Sequence, residues 1–425
     1  MRRQLTVLAG ALWLQTVAVA QPRPDHLDAS NWTDAVGFAP DLASVPSYES
    51  GLVLNRSNYR ESRGIVPEAL ARLIEEFDFA VETADYRPIH PSVGYMEATL
   101  ANWGEARAVE TPGRIRARGI ENYRGGLPFP KPKTGLEAIW NQQFSYQGDD
   151  GFVRFRVYWV SASRGVERTE DWLWSYIVRA TARTDIEPRP DVPELAARGV
   201  RYASLARCLG PDDKEGLQAL MFRFDEPLDQ RGFLWVPTSR RAIAMVFGAP
   251  GVPWNQTDML FEDIRGYSGY PEWMDWTLLG TATVLAPMHA RVRIGPGETE
   301  RAIAFDEPPH FQPRVAFEPR PVYVVEGRPK FWTSLYGRVV LYVDAETFLV
   351  PLKEGYDRDG NLRNVILHAF NASPDEDAMP QPLAIALAVD LARRHATLFL
   401  THETASNLGL RAHDFTWGAL VRGGN

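Results

Sequence analysis

The feature that most constrains this chain is an alternation of large apolar side chains with polar ones at a period of two. It is clearest over residues 151–160, where every second residue is large and apolar: Val153, Phe155, Val157 and Trp159. This period is typical of an antiparallel strand with one face on a core and the other in water. Arg154 and Arg156 cannot be buried unpaired without a large cost, so we expect them on the solvated face. The four apolar residues are therefore predicted to lie on the concave face of a sheet.

A second aromatic strand follows closely. Residues 171–178 place three large aromatic groups on one side: Trp172, Trp174 and Tyr176. The intervening loop is short and contains Arg164, Gly165 and Arg168, which predicts that the two strands pair as a hairpin. The seven apolar residues of this hairpin are then predicted to line a cavity for an apolar ligand. The alternative is an ordinary core in which the aromatic groups pack under a helix and leave no space.

Further strand patterns recur along the chain without alternating helices. They are Leu217–Phe224, Gly232–Val236, Ala242–Phe247, Trp276–Leu285, Val322–Val325, Arg338–Val343, Phe348–Lys353, Leu362–Phe370 and Thr397–Thr401. Parallel sheets need helical crossovers, so this order favours a mainly β (α+β) fold with one large curved antiparallel sheet or an incomplete β-barrel.

One segment carries the helical period. Residues 67–85 begin with a proline and repeat apolar residues at three- and four-residue spacing: Leu70, Leu73, Ile74, Phe77 and Val81. This predicts an amphipathic helix that acts as a plug or lid over the concave face. Residues 21–66 are rich in Pro, Asp and Ser and are predicted to be a loop-rich N-terminal segment. Residues 67–425 are predicted to form a single elaborated open-barrel domain.

The first twenty residues have the layout of a secretory signal peptide. Two arginines precede an apolar run from Leu5 that ends at Ala18-Val19-Ala20, so cleavage is expected after Ala20. No later segment is apolar over the length needed to span a bilayer. Removal of the peptide changes the formal net charge from −8 to −10, since 44 basic and 54 acidic residues remain. An acidic chain without a basic tract is not expected to bind nucleic acid.

Motifs that carry chemistry are few. The eight histidines form no metal-binding spacing, and no nucleophile elbow or phosphate-binding loop occurs, so no catalytic residue, metal or cofactor is predicted. The only cysteine, Cys208, is expected to be a small buried apolar residue. The segment Asp357–Asn361 is expected to be a hairpin turn rather than a calcium loop. Three acidic doublets are expected at solvated strand edges: Glu170/Asp171, Asp225/Glu226 and Glu262/Asp263.

Several segments, in order, resemble the bacterial family catalogued as domain of unknown function 1329. They are Gly125–Pro130, Gly135–Asn141, Trp276–Gly280, Val322–Glu326, Arg338–Asp344 and Tyr356–Gly360. The resemblance implies a Gram-negative periplasmic protein with a fold similar to the outer-membrane lipoprotein carriers LolA and LolB. It also implies an outer-membrane protein and a transporter of the resistance-nodulation-division class as partners. It brings no agreed catalytic residues.

These observations favour a periplasmic binding or carrier protein for an apolar ligand, which is a lipid, an acyl chain or a hydrophobic small molecule. Two alternatives remain open at this point. One is an envelope polysaccharide hydrolase with a dispersed pair of carboxylates facing one another ~5–10 Å apart. The other is a non-catalytic architectural subunit that binds an envelope partner through exposed sheet edges.

Overall fold

The computed structural model describes residues 22–43, 48–110, 119–226, 230–245, 251–372 and 382–422. The predicted signal peptide, residues 1–20, lies outside the described residues. The helices are α1 (Trp32–Val36), α2 (Glu68–Phe77), α3 (Val93–Ala101), α4 (Gly135–Gln143), α5 (Pro193–Ala196) and α6 (Trp417–Arg422). The strands are β1 (Val53–Leu54), β2 (Val81–Thr83), β3 (Arg107–Ala108), β4 (Ile120–Glu121), β5 (Asp150–Ser161), β6 (Gly165–Ile177), β7 (Val200–Gly210), β8 (Gln218–Phe224), β9 (Gln230–Val236), β10 (Arg241–Met245), β11 (Met274–Ala286), β12 (Ile303–Ala304), β13 (Gln312–Pro313), β14 (Ala316–Pro329), β15 (Arg338–Asp344), β16 (Leu352–Tyr356), β17 (Leu362–Phe370), β18 (Leu383–Asp390) and β19 (His395–Ser406).

In the described ranges, fifteen strands form one large sheet that does not close into a barrel. Two antiparallel meanders, β5 to β10 and β14 to β19, are joined by the pairing of β19 with β5. Within the described residues, β1 and β10 are the two ends of this order. The sheet is mixed because β2 runs parallel to β14, whose other partners β11 and β15 are antiparallel. The predicted mainly β fold with an incomplete barrel is confirmed.

The strands at the centre of the sheet bury both of their faces. We call one the helix face, because α2 packs on its side chains, which include Tyr342, Leu352, Leu398 and Leu400. We call the opposite side the cavity face; it includes Phe155, Trp174, Ala386 and Phe399. The two sets alternate along each strand, as the period of two requires.

The predicted helix over residues 67–85 is too long, and its predicted position is wrong. Helix α2 ends at Phe77 because Asp78 adopts a left-handed conformation with φ 57°, and β2 follows. Its buried face, from Ala69 to Phe77, packs on the helix face, so it covers the side of the sheet opposite the predicted plug. The N-cap residue of α2, Pro67, makes no capping hydrogen bond, and Glu354 on β16 caps the helix instead. The backbone N–H of Ala69 donates to the Glu354 carboxylate at 2.9 Å.

The strand predictions fail mainly where polar and apolar residues do not alternate. The predicted strand Phe348–Lys353 is irregular as far as Pro351, because Phe348 has φ 56°. Two long strands, β7 and β18, are absent from the predictions, as are the strands of two or three residues: β1, β2, β3, β4, β12 and β13. Residues 246–247 of the predicted strand Ala242–Phe247 lie outside the described residues. The predicted turn after Tyr356 is present, with Gly360 at φ 86° and Asp357 accepting backbone N–H groups from residues 359 and 361.

A buried ion network ties the N-terminal segment to the sheet. Arg320 on β14 is fully buried and contacts three carboxylates: Asp344 at 2.7 Å, Glu346 at 2.5 Å and Glu318 at 3.2 Å. The Trp32 indole of α1 donates to the Glu346 carbonyl at 2.9 Å. Among the residues that the structure describes, no helix has both the length and the apolar character needed to cross a bilayer.

Candidate functional site

A cavity of about 260 Å³ lies between the cavity face of the sheet and a covering segment. We call residues 251–268 the roof segment; it contains two short turns, Trp254–Gln256 and Phe261–Asp263. Trp254, Met259 and Ile264 of the roof segment line the cavity from one side. Side chains of β5, β6, β7, β17, β18 and β19 line it from the other.

The walls of the cavity are mostly apolar. The apolar residues that line it are Val153, Phe155, Trp174, Trp254, Met259, Ile264, Leu349, Phe370, Pro382, Leu383, Ala386, Phe399 and Ala405. Polar residues are fewer, and they include Arg265 and His368. A preformed apolar hollow with a small number of polar groups is the usual composition of a small-molecule site.

Four of the seven sequence-predicted site residues line this cavity: Val153, Phe155, Trp174 and Tyr176. The predicted hairpin of β5 and β6 explains their placement. Its register pairs Val153 with Trp174 and Phe155 with Trp172, so the odd residues of β5 share a face with the even residues of β6. The arginines on the other side also follow the prediction, since Arg154 is exposed. Arg156 is half-buried in an ion pair with Asp171 at 2.8 Å.

The other three predicted residues, Val157, Trp159 and Trp172, do not line the cavity. They pack with Cys208 and with Trp254, which covers this end of the cavity face. The rings of Trp172 and Trp254 are 5.3 Å apart, and the Trp159 indole donates to the Gln256 carbonyl at 3.2 Å. Sequence periodicity gives the face of a strand but not what covers it, so it could not separate wall from filled core. Cys208 is buried as predicted, and burial raises the pKa of its thiol to about 11.

The roof segment is held by a buried ion pair. Lys353 on β16 donates to Asp263 Oδ1 at 2.6 Å and to the Gly266 carbonyl at 2.9 Å. The Tyr336 hydroxyl donates to Asp263 Oδ2 at 2.9 Å. Both charged side chains are fully buried. Because each charge is paired and hydrogen-bonded, this contact fixes the position of the roof segment above the cavity.

A second anchor lies at the edge of the roof segment. The Asp258 carboxylate accepts the Thr397 hydroxyl at 2.8 Å and lies 2.6 Å from His395 Nδ1. The hydrogen bond from His395 to Asp258 raises the pKa of the histidine. His395 and His402 lie on opposite faces of β19, and His402 contacts Glu300 at 2.8 Å.

His368 is the buried polar group beside the cavity. Its Nδ1 lies 2.8 Å from the Val350 carbonyl, which can only accept, so Nδ1 carries the proton. Its Nε2 has no hydrogen-bond partner among the described residues. Burial lowers the pKa of His368 to about 4, so the ring is neutral at pH 7. The neutral ring therefore leaves one unused acceptor next to the apolar walls.

The expectation that the acidic doublets lie at solvated edges is wrong for three carboxylates. Glu170, Glu262 and Asp263 are all buried. Glu170 is compensated by Lys214, by the Trp172 indole at 3.0 Å and by Asn255 at 2.5 Å. Glu170 and Asp171 do point to opposite faces of β6, but the face of Glu170 is covered, whereas Glu262 and Asp263 lie in a turn of the roof segment and not in a strand. None of the described residues that line the 260 Å³ cavity is an aspartate or a glutamate.

The family follows from a match over most of the chain. The sequence profile described as protein of unknown function (DUF1329) matches residues 53–420. The chain belongs to the DUF1329 family. Among curated proteins, this DUF1329 chain is 22% identical over 415 residues to the uncharacterized protein PA3922 of Pseudomonas aeruginosa, with 88% of this chain and 85% of that protein covered. The resemblance to this family noted in the sequence is confirmed.

Two solved structures resemble this DUF1329 protein at low sequence identity. A DUF1329 family protein from Desulfovibrio piger has 14% identity and a TM-score of 0.46, with 67% of this chain and 97% of that chain covered. The LolA superfamily protein NE2245 from Nitrosomonas europaea has 12% identity and a TM-score of 0.42, with 68% and 100% covered.

Sequence reasoning missed the roof of this DUF1329 site. Residues 251–268 show neither period, and their buried acids resemble surface residues in the sequence alone. One signal was present: Lys353 ends a predicted strand that is otherwise apolar. A lysine in such a position is seldom buried unless it is paired, so it pointed to a buried carboxylate elsewhere in the chain.

Proposed function

We propose that this protein is a carrier that holds an apolar ligand in the cavity under the roof segment and releases it to an acceptor. The ligand is a lipid, an acyl chain or a hydrophobic small molecule. The single observation behind the proposal is the preformed apolar cavity of about 260 Å³. An engineered apolar cavity of ~150 Å³ already binds benzene, so the space here suits a larger hydrocarbon group.

The energetics suit transfer rather than permanent retention. Each methylene removed from water contributes ~0.8 kcal/mol, so eight methylenes contribute roughly 6 kcal/mol before ordering costs. Affinity of this order is moderate and allows release. The apolar walls lack paired carboxylates, and a carrier needs none, because binding and release form no covalent bond. Glycoside hydrolysis needs two facing carboxyl groups, so the cavity favours the carrier over the hydrolase.

The proposal places the carrier in the periplasm of a Gram-negative cell, between an outer-membrane protein and a transporter of the resistance-nodulation-division class. Support comes from the signal-peptide pattern of residues 1–20 and from the family resemblance. The intact mass of the protein isolated from a periplasmic extract should correspond to a chain that begins at Gln21. A mass that includes residues 1–20 would contradict export with cleavage.

Binding is tested with N-phenyl-1-naphthylamine, a neutral apolar probe whose fluorescence rises in hydrocarbon surroundings. We expect saturable binding by the mature protein. Ala386→Phe adds a ring to the floor of the cavity and should lower the probe affinity at least tenfold while the unfolding temperature stays close to that of the wild type. Trp174→Ala removes a ring from the cavity wall and is a second test variant. Its matched control is Trp332→Ala, which removes an exposed tryptophan that is 82% accessible.

Two results would overturn the proposal. One is absence of saturable probe binding together with absence of any lipid in protein purified without detergent. The other is strong destabilisation by Ala386→Phe with unchanged probe binding, because this would mean that the space is filled by the protein itself.

A further inference from the structure

A second, smaller chamber adjoins the apolar cavity. Its volume is about 110 Å³, and Trp174, Tyr202 and Arg265 belong to the walls of both spaces. The two chambers differ in chemistry. Hydrocarbon side chains dominate the first, whereas the second is lined by four arginines: Arg179, Arg201, Arg223 and Arg265.

Three different parts of the fold bring these arginines together. Arg223 lies opposite Tyr202 in the pairing of β8 with β7, and Tyr202 belongs to the cavity face. A register shift between Val200 and Tyr202 leaves Arg201 as the extra residue, so neighbours in sequence line the same chamber. Arg179 follows β6, and Arg265 comes from the roof segment.

The chamber has more positive than negative charge. In the part of the chain that the structure describes, none of the four arginines forms an ion pair with a carboxylate. Arg179 donates to the Ser145 carbonyl at 3.0 Å. In Arg223, by contrast, Nε and one terminal nitrogen have no hydrogen-bond partner among the residues that the structure describes. Arg201 and Arg223 lie over the Tyr270 ring, with their guanidinium carbons 5.2 and 4.7 Å from the ring centroid. Such a contact uses the charge of the guanidinium group and not its N–H donors.

Three carboxyl groups act on this cluster, which is fewer than its four guanidinium groups: Glu262, Glu272 and Asp149, which attracts Arg179. Glu262 lines the chamber; burial and the neighbouring Asp263 raise its pKa to about 7. Its Oε1 has no partner among the described residues. Glu272 lies close enough to be attracted by Arg201 and Arg223, and burial raises its pKa as well. Four guanidinium groups outnumber these carboxyl groups, so the chamber carries a net positive charge.

Guanidinium groups that are partly buried with too few counter-charges have a desolvation cost that destabilises the fold unless an anion pairs with them. The guanidinium fork matches the oxygens of phosphate and carboxylate groups, to which it donates paired hydrogen bonds. We propose that the arginine chamber binds the oxyanion headgroup of an amphiphile whose apolar tail occupies the adjoining cavity. This inference rests on the proposed carrier function and adds to it the chemical class of the ligand.

The test compares amphiphiles that share a twelve-carbon tail, each below its micellar concentration. Dodecyl phosphate, dodecanoate and 1-dodecanol are titrated against the mature protein loaded with N-phenyl-1-naphthylamine. We expect both anions to displace the probe with at least about tenfold higher affinity than the alcohol. The double variant Arg201→Gln/Arg223→Gln, at two arginines that line only the smaller chamber, should lower this preference below about threefold and leave the affinity for 1-dodecanol within about twofold.

Controls separate the headgroup effect from folding and from free anions. Arg154→Gln changes an exposed arginine on the opposite face of β5 and should retain the full preference. Arg223→Lys keeps the charge but loses the fork, and its preference should be intermediate. Inorganic phosphate alone should compete with dodecyl phosphate only weakly, because it lacks the tail.

The outcomes distinguish this inference from the proposed function. If the alcohol and the neutral probe bind but the anions bind no tighter, the headgroup assignment is wrong and the apolar carrier stands. If inorganic phosphate competes as well as dodecyl phosphate, the chamber serves a free anion and the inference is wrong. If no amphiphile and no neutral probe binds, the proposed function fails and the inference fails with it.

Discussion

The two faces of the central strands are covered differently: the helix face packs into a filled core, and the cavity face borders a cavity. On β19, Leu398 lies on the helix face and is fully buried among α2 and the neighbouring strands. Its neighbour Phe399 lies on the cavity face, is half-buried and lines the 260 Å³ cavity. The difference comes from the covering element. Helix α2 presents a continuous apolar stripe, whereas the roof segment is fixed mainly by polar anchors. A polar-anchored cover can be held above a sheet without filling the space beneath it.

Two of the buried ion networks have separate roles. Arg320 joins Asp344 and Glu346 to the N-terminal segment. Lys353 joins the roof segment to the sheet through Asp263. Neither network contacts the other in the described residues, so the two roles can be separated by substitution.

The largest expected effects separate these two networks. Arg320→Met and Lys353→Met each leave buried carboxylates without their cation, so each should lower the free energy of unfolding by about 3–5 kcal/mol. Only Lys353→Met should also weaken probe binding, because it releases the roof segment. Urea unfolding and probe titration measure the two effects. Arg328→Met, at an exposed ion pair, is the control and should change stability by less than ~1 kcal/mol. Equal loss of probe binding in the Arg320 and Lys353 variants would contradict the separation of the faces.

The next effect compares neighbours on one strand. Leu398→Ala opens a cavity in a filled core and should cost about 2–5 kcal/mol of unfolding free energy without altering probe affinity. Phe399→Ala enlarges a space that already exists, so it should cost less than ~2 kcal/mol and change probe affinity. A larger stability loss at Phe399 than at Leu398 would show that the cavity face is packed as tightly as the helix face.

Two buried carboxyl groups give a pH-dependent form of the comparison. Glu354 on the helix face accepts hydrogen bonds from Ala69, Tyr342 and Tyr356. Glu262 in the roof segment accepts one, from Gly251, and its pKa is raised from 4.5 to about 7 by burial first and Asp263 second. Between pH 4.5 and 7 the folded state therefore keeps this proton, whereas the unfolded state has lost it. The free energy of unfolding consequently falls as pH rises through that window.

Glu262→Gln removes that penalty. The difference in unfolding free energy between the variant and the wild type should grow by about 3 kcal/mol from pH 4.5 to 7 and then stay level. Denaturant unfolding across this range measures it. Glu354→Gln should instead be destabilising throughout, because it disturbs three hydrogen bonds, and the exposed Glu105→Gln should show no trend. A pH-independent difference for Glu262→Gln would mean that this carboxyl is not protonated in the folded protein at neutral pH.

The sequence predicts the strands better than their covers, for a physical reason. Alternation assigns residues such as Val153 and Trp174 to one face, because the side-chain period of a strand is fixed by backbone geometry. Whether that face is filled depends on segments far away in the chain, such as the roof, whose Asp263 meets Lys353 ninety positions later. The continuous apolar run of β18 was missed because both of its faces are buried, which erases alternation. The sequence also predicts helix α2, Glu68–Phe77, from its apolar stripe. The stripe does not indicate which face of the sheet the helix covers.

The smallest expected effect lies at the edge of the roof segment. The hydrogen bond from His395 to Asp258 raises the pKa of the histidine in the folded state. A raised histidine pKa stabilises the fold fully below the unfolded pKa, near 6.5, and this stabilisation is lost as pH rises through the folded value. His395→Gln should therefore lower the unfolding temperature more at pH 6 than at pH 9, by less than the Glu262→Gln effect. His413→Gln, at an exposed site, is the control. If His395→Gln has the same effect at both pH values, the contact with Asp258 is a neutral hydrogen bond, and His395 adds no charge to the anchoring of the roof segment.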